Sequence, residues 1–398
     1  MFTGLAGIFM CAGGLGLATS SAATALFWLP FILLPAYERL RQQPAALFLG
    51  FLAIGWTALS LTWSPYDRPD QAIKLLILTP FFILFPFAIT LLSNVRRQRF
   101  GTYFAFVALL TGTFFLFEGI FGAPLSTGFK INFEGHDDWQ TARPLAERAL
   151  SRGASAFILA GGPIAIWMWL RHPKWRWAAI YLALSLGVAA SAFEVEANVV
   201  ALSVGLVCGV AAIIWPRRAL QSVLCAGALW LLTAPVAMSL ILAIIPDGLA
   251  EALPLSWQMR LVIWDNAIDF IAQAPVFGHG LDASRILSTT ATIDGFSFEA
   301  LPLHPHNFGL NIWLETGSVG AGLFAVTLIA LALAFEKRLP PAPIRMSLAY
   351  AITAWLVMVM LGYGVWQEWH HGALSLAIAI CWLNASGQSR RFADQISR

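Results

Sequence analysis

Apolar runs of about twenty residues recur along nearly the whole chain, separated by short polar breaks. Twenty residues is what a helix needs to cross a hydrocarbon layer of about 30 Å. Within such a layer the backbone can satisfy its own polar groups only as a helix or a closed barrel. Composition agrees: of 398 residues, 59% are hydrophobic and 11% charged, and mean hydropathy is +0.73. The expected fold class is therefore an all-α polytopic membrane protein, a single integral membrane domain over 1–398, in contact with membrane lipids. Counting soluble domains by length does not apply to such a chain. The first apolar run is too long, and too closely followed by others, for a cleaved signal peptide. Cys11, Cys208, Cys225 and Cys381 sit inside apolar runs and form no CxxC pair, which argues for neither a disulfide framework nor a thiolate metal site.

Periodicity and break residues predict about twelve transmembrane helices, near 3–19, 21–37, 45–62, 73–92, 100–120, 153–170, 177–191, 197–215, 219–246, 307–335, 346–364 and 370–386. Residues 3–37 could be one tilted helix, but Gly13–Gly16 and Thr19-Ser20-Ser21 favour two. Basic residues orient the bundle. Arg39/Arg41, Arg96/Arg97/Arg99, Arg171/Lys174/Arg176, Arg217/Arg218, Lys337/Arg338/Arg345 and Arg390/Arg391/Arg398 all fall on one side, sixteen of the 24 Lys and Arg. That side also holds Glu38, Glu336 and Asp394. By the positive-inside rule it is cytoplasmic, with both termini inside. The net charge of +3 says little beyond this mapping, and no nucleic-acid partner is expected.

Two long segments then face outward, at about 121–152 and 247–306. The first carries His136-Asp137-Asp138-Trp139 followed by Arg143, Arg148 and Arg152. The second contains an amphipathic helix over 256–273, with Ser256 as its N-cap. Trp257, Leu261, Trp264, Ile268 and Ile271 share one face, and Gln258, Asp265, Asn266, Asp269 and Gln273 the other. Arg260 flanks the apolar stripe and points away from those acids. Such a helix lies on the outer surface of a bundle.

The chemistry concentrates at 304–320, where two histidines and a polar stripe lead into an apolar helix. Lipid gives no reason to keep such groups. Asn307, Asn311 and Glu315 recur at four-residue spacing. Glu315 and the glycines 317, 320 and 322 read as helix-packing groups, whereas His306 stands outside the packed interior. An imidazole titrates near neutral pH and can accept a proton from an attacking hydroxyl. Arg260 is either an interfacial snorkelling residue or a planar grip for a diphosphate. His304 and His306 lack a third ligand at metal-site spacing, and Asp137-Asp138 reads as a solvated loop, so no metal or cofactor is expected. Gly278-His279-Gly280 reads as a tight turn. Trp366-Gln367-Glu368-Trp369-His370-His371 reads as an interfacial aromatic belt, from which Glu368 or His370 could line the same cavity.

The stretch from Arg260 and Trp264 through Pro275 and Gly278-x-Gly280 to His306-Asn307-x-x-Leu310 and Glu315-x-Gly317-x-x-Gly320 resembles the signature of the O-antigen ligase/polymerase superfamily. The resemblance implies a GT-C-type glycosyltransferase bundle using an undecaprenyl-diphosphate-linked glycan donor, with no nucleotide sugar and no metal. It assigns His306 as general base and Arg260 to the diphosphate. Relatives place an Arg after a Ser-x-Ser motif on a middle helix. Here Ser191 is followed by Glu194, Glu196 and Asn198, so a second basic contact falls to Arg143, Arg148 or Arg152. Substrate-binding roles are further expected for His304, Asn307, Trp264 and Glu368.

The reading implied is transfer of a glycan from undecaprenyl diphosphate to a lipid A-core sugar hydroxyl in lipopolysaccharide biosynthesis. It would take place on the periplasmic side of a bacterial inner membrane, with inversion and in a monomer. An O-antigen polymerase or a protein O-oligosaccharyltransferase would use the same donor. A transporter of the same lipid would instead predict an internal repeat and paired broken helices, and the sequence offers neither.

Overall fold

In a computed structural model, residues 2–385 are described except 69, 194 and 338. The described chain forms α1 (Phe2–Cys11), α2 (Leu17–Leu40), α3 (Pro44–Leu59), α4 (Asp70–Thr90), α5 (Asn94–Phe121), α6 (Pro124–Glu134), α7 (Trp139–Arg171) and α8 (Trp175–Ser191). It continues with α9 (Ala197–Ile214), α10 (Arg218–Ile244), α11 (Asp247–Ala252), α12 (Leu255–Gln273), α13 (Phe308–Lys337), α14 (Ala342–Leu361) and α15 (Glu368–Cys381). The protein is a multi-pass, all-α membrane protein. Each of the twelve expected segments overlaps a helix, although the first, 3–19, is helical only to Cys11 and again from Leu17. Among the described residues nine helices are long and apolar enough to cross a membrane, and α1, α8 and α15 are shorter, with 10, 17 and 14 residues. Arg338 and the basic residues of 386–398 lie outside the described residues.

The central post is α7. In its most apolar window 83% of residues are buried, against a third or less for most other spans. It touches α1, α5, α6, α8, α14 and α15, while α9 lies along α14 and α10 along α13. This helix begins fourteen residues before the expected start at 153. Asp138 caps it, its carboxylate accepting the Thr141 N–H at 2.8 Å. Arg143, Arg148 and Arg152 therefore ride on a rigid helix of about 50 Å and not on a loop. Before it, α6 is held by Glu118, a buried carboxylate that accepts the N–H groups of Leu125 at 2.9 Å and Ser126 at 3.2 Å. A helix N-terminus is where a buried carboxylate is best tolerated. Leu125, Phe129 and Phe133, four residues apart, form an exposed apolar row along α6.

The first helix pair divides at Gly13 and Gly14, both at positive φ, and not at Thr19-Ser20-Ser21, which lies inside α2. The segment 245–307, expected to face outward, is partly sheet: Thr290–Ile293 pairs antiparallel with Phe296–Glu299 across Asp294-Gly295, both at positive φ. Such an Asp-Gly pair between alternating strands is a hairpin signal. At α12 the cap position is Pro254, and Ser256 lies within the helix.

The decisive irregularity is in α13, which breaks at Gly317 (φ 65, ψ −169), a conformation essentially confined to glycine. The break frees two backbone pairs, and the 275–280 loop takes all four groups. Leu314 O accepts the His279 N–H at 2.8 Å and Glu315 O the Gly280 N–H at 2.9 Å. Ser318 N donates to Pro275 O at 2.9 Å and Val319 N to Val276 O at 3.3 Å. Trp56 Nε1 donates to Thr316 O at 2.9 Å. The segment Gly278-His279-Gly280, expected as a tight turn, is thus the plug of a broken membrane helix. Of the expected close-packing glycines, Gly317 serves the break, Gly320 faces Trp56 and Thr316, and Gly322 faces open space.

Glu315, fully buried two turns into α13, accepts four hydrogen bonds: Asp282 N at 2.8 Å, Ser284 Oγ at 2.7 Å, Asn311 Nδ2 at 2.9 Å and Trp366 Nε1 at 2.5 Å. Trp366, expected in an interfacial belt, is spent on this carboxylate. Substituting Gly317→Ala places a Cβ 2.2 Å from Val276 O in addition to the backbone penalty, together on the order of 3 kcal/mol or more. A lowered thermal midpoint of the detergent-purified protein checks this, and an unchanged midpoint would show that the loop is not locked into the break.

Candidate functional site

The histidine pair hangs between α12 and α13. Pro305 O accepts the indole N–H of Trp264 at 3.0 Å, and His306 N donates to His304 Nδ1 at 3.3 Å. His306 takes φ 50, a left-handed conformation in which histidine is enriched among non-glycine residues. Its Nδ1 lies 2.8 Å from Gly362 O. A carbonyl only accepts, so Nδ1 carries the proton and Nε2 keeps its lone pair. Burial, with Arg260 close by, lowers the His306 pKa below 6.5 despite the opposing effect of the Gly362 bond. The ring is therefore neutral at pH 7. His304, its ring 4.4 Å from that of His306, lies well below 6.5 through burial and the adjacent His306 and Arg285.

Arg260 faces the same region. Its side chain is 14% exposed, its Cζ stacks 4.6 Å from the Trp257 ring centre, and its Nη1 lies 3.7 Å from Glu196 Oε2. It points away from the acids of α12 as expected, but towards an acid on the 192–196 connection. Glu194 lies outside the described residues. Asn198 does not reach the site: it is buried, with Oδ1 accepting from Ser155 Oγ at 2.7 Å.

Beside this group a cavity of about 580 Å³ is lined by Lys130, Glu134, His136, Leu145, Arg148, Ser151, Arg152, Val195 and Tyr363. The volume suits a ligand site. Lys130 is paired with Glu134 at 2.6 Å, whereas Arg152 Nε is buried without a hydrogen-bond partner. Burial pushes the Tyr363 hydroxyl up to about 12, so it stays protonated. Two short connections join cavity and histidines: Gly362 contacts His306 while Tyr363 lines the cavity, and Val195 lines it while Glu196 meets Arg260.

The structure thus brings His304, His306 and Arg260 together, with Arg148 and Arg152 alongside, and sets the other expected site residues apart. Arg143 is exposed and paired with Glu147 at 2.8 Å, outside the cavity. Trp264 is buried and holds Pro305, so it positions the histidines and does not offer a face to a ligand. Asn307 caps α13: its Oδ1 accepts from Gly309 N, Leu310 N and Trp230 Nε1. Glu368 opens α15 away from the cavity lining. Sequence reasoning missed Tyr363, Lys130 and Glu196. The first two carry no sequence signal, and Glu196 stood out only as an acid where the resemblance led to the expectation of a base. Among the described residues no three His, Cys, Asp or Glu gather as a metal-binding group.

Residues 148–325 match the family model described as O-antigen ligase, a stretch that encloses Arg260, the histidine pair, Asn307 and Glu315. Three similar curated proteins, all provisionally named polysaccharide ligases, come from Rickettsia. They are 32% identical over 117 residues in Rickettsia prowazekii, 31% over 117 in Rickettsia conorii and 32% over 117 in Rickettsia typhi. Each match covers 28% of this chain and 28% of the relative, little more than a quarter of those proteins. No solved structure matches the chain. The resemblance carried by residues 260–320 is borne out.

Trp264→Phe keeps the buried ring and removes one hydrogen bond, a loss of about 1 kcal/mol. It should raise amide hydrogen exchange in peptides spanning 301–307, with little change elsewhere. Unchanged protection there would mean that other contacts hold the histidines.

Proposed function

We propose, from the match of residues 148–325 to the O-antigen ligase family model, that the protein is a glycosyltransferase. It moves a glycan from a polyprenyl diphosphate carrier to an acceptor hydroxyl at the membrane boundary. The observation that carries this reading is the state of His306: neutral, fixed through Nδ1 to Gly362 O, with Nε2 free to accept a proton. Few other roles require a histidine held in a strained backbone conformation with one nitrogen left available. In the reaction the acceptor O–H gives its proton to Nε2 as the oxygen attacks the anomeric carbon. The carbon–oxygen bond to the diphosphate breaks, and the carrier diphosphate departs with the bonding electrons. A single displacement inverts the anomeric centre.

Arg260 supports the leaving group. Its guanidinium is planar, permanently charged and immobilised on Trp257, so it can engage phosphate oxygens through two parallel N–H donors without reorganising. The cavity with Arg148 and Arg152 receives the glycan or further phosphate oxygens. We take the donor to be undecaprenyl-diphosphate-linked, the acceptor a lipid A-core sugar, and the site to lie on the periplasmic side of a bacterial inner membrane. These assignments rest on the family resemblance and on the basic residues of the opposite loops. The acceptor is tested by deleting the gene and resolving the lipopolysaccharide on a gel. Core-only lipid with carrier-linked polymer accumulating identifies a ligase; core bearing a single repeat identifies a polymerase.

Two outcomes test the mechanism in purified protein supplied with carrier-linked glycan. His306→Ala should lower transfer by at least about 100-fold, far beyond the loss of about 1 kcal/mol in stability expected for the missing Gly362 bond. His304→Ala should cost less. Retention of half the wild-type rate by His306→Ala would remove His306 from the base role. The second outcome is the pH profile. A base whose pKa lies below 6.5 is more than half unprotonated at every pH from 8 down to 6.5 and becomes mostly protonated only below that. Transfer should therefore keep more than half of its maximum across this range and fall through its midpoint on further acidification. A half-maximal loss at or above pH 6.5 would contradict a depressed His306.

A further inference from the structure

The carboxylate of Glu196 sits where an anionic ligand of Arg260 would sit. One of its oxygens, Oε2, lies 3.7 Å from Arg260 Nη1 and accepts the Trp257 indole N–H. The two partners are unequal. Arg260 is 14% exposed, stacked on Trp257, and its Nη1 is buried with no hydrogen bond. Glu196 is 50% exposed, on a short connection before α9. The cation is fixed and the anion can turn into solvent. An incoming phosphate oxygen could take over both the guanidinium and the indole N–H, so the exchange leaves no donor stranded.

We propose that Glu196 is an internal counter-ion that occupies the anion position of Arg260 and sets how strongly a phosphate must bind there. This rests on the role given above to Arg260. The lipid boundary presents phospholipid headgroups whose phosphodiester carries one negative charge, the same as a carboxylate. Replacing Glu196 with such a headgroup gains no net attraction. A diphosphate brings more charge and a second set of oxygens for the planar fork, so it still binds once the carboxylate has been displaced. The cost of displacing Glu196 is the same for both ligands, so it lowers both affinities by one factor and leaves only the stronger binder above the threshold.

The test uses the full-length purified protein in neutral detergent and two probes, farnesyl diphosphate and dihexanoyl phosphatidylglycerol, with binding measured by calorimetry. Glu196→Gln should tighten both probes by a similar factor of about tenfold, bringing phosphatidylglycerol binding into a measurable range. Glu196→Asp, which keeps the charge on a shorter arm, should restore part of the weakening at unchanged thermal midpoint. Unchanged affinities in Glu196→Gln, or weaker farnesyl diphosphate binding, would overturn the proposal; the latter would make Glu196 a support for Arg260. Arg260→Gln separates the two levels. If it binds farnesyl diphosphate as wild type does, the diphosphate role of Arg260 is wrong. If it loses that binding while Glu196→Gln keeps the wild-type affinities, only the role of Glu196 is wrong.

Discussion

A helix interrupted within a membrane protein must hand its freed backbone groups to some other part of the molecule, because lipid offers no partner for them. The break at Gly317 sets this demand, and residues 275–280 meet it bond for bond. Everything around the site follows from that joint. The loop is drawn to the bundle, Trp63 Nε1 and Ser64 Oγ bind Gly278 O and Leu281 O from its other side, and Glu315 fixes Asp282 and Ser284. The chain between Ser284 and Asn307 then has to return across the end of α13, which is where the histidines lie. An ionisable side chain buried this deeply is costly unless fully bonded, and four donors offset part of that cost at Glu315.

Indole groups do much of the remaining work. Trp56, Trp230, Trp264, Trp313 and Trp366 each direct an N–H to a group between residues 231 and 316 around this joint. A buried tryptophan generally finds such a partner. In a membrane sequence the same residues are easily taken for interfacial anchors, since composition does not reveal whether an indole faces lipid or a carbonyl.

Hydropathy alone made the membrane helices legible, and the four-residue spacing of Asn307, Asn311 and Glu315 correctly marked one polar face. Their partners were not legible, because they come from α10, the 361–368 connection and the 275–285 loop, all distant in sequence. Helix ends that depend on polar residues were misplaced for a common reason. The first half of α7 is charged and yet helical, held by its Asp138 cap and its packing against α6. The Gly317 break hid among glycines that read equally well as packing points. The Asp294-Gly295 hairpin could have been read from its dipeptide and alternating flanks. At the site, the residues had been singled out individually. What no spacing could give was the juxtaposition of Arg260 with Glu196, or the turn at Gly362 that selects the tautomer of His306.

The loop joint also bears on how such proteins diversify. Outer loops of membrane proteins are ordinarily the parts most freely exchanged between relatives, since they cross few packed contacts. Here the loop supplies the partners of a broken helix, so loop and break are physically coupled. Recombination that brought in a foreign loop without the matching α13 would leave four unpaired amide and carbonyl groups inside the bundle. New substrate preferences are therefore easier to acquire at cavity-lining positions such as Lys130, Glu134, His136 and Leu145, whose side chains complete no other element.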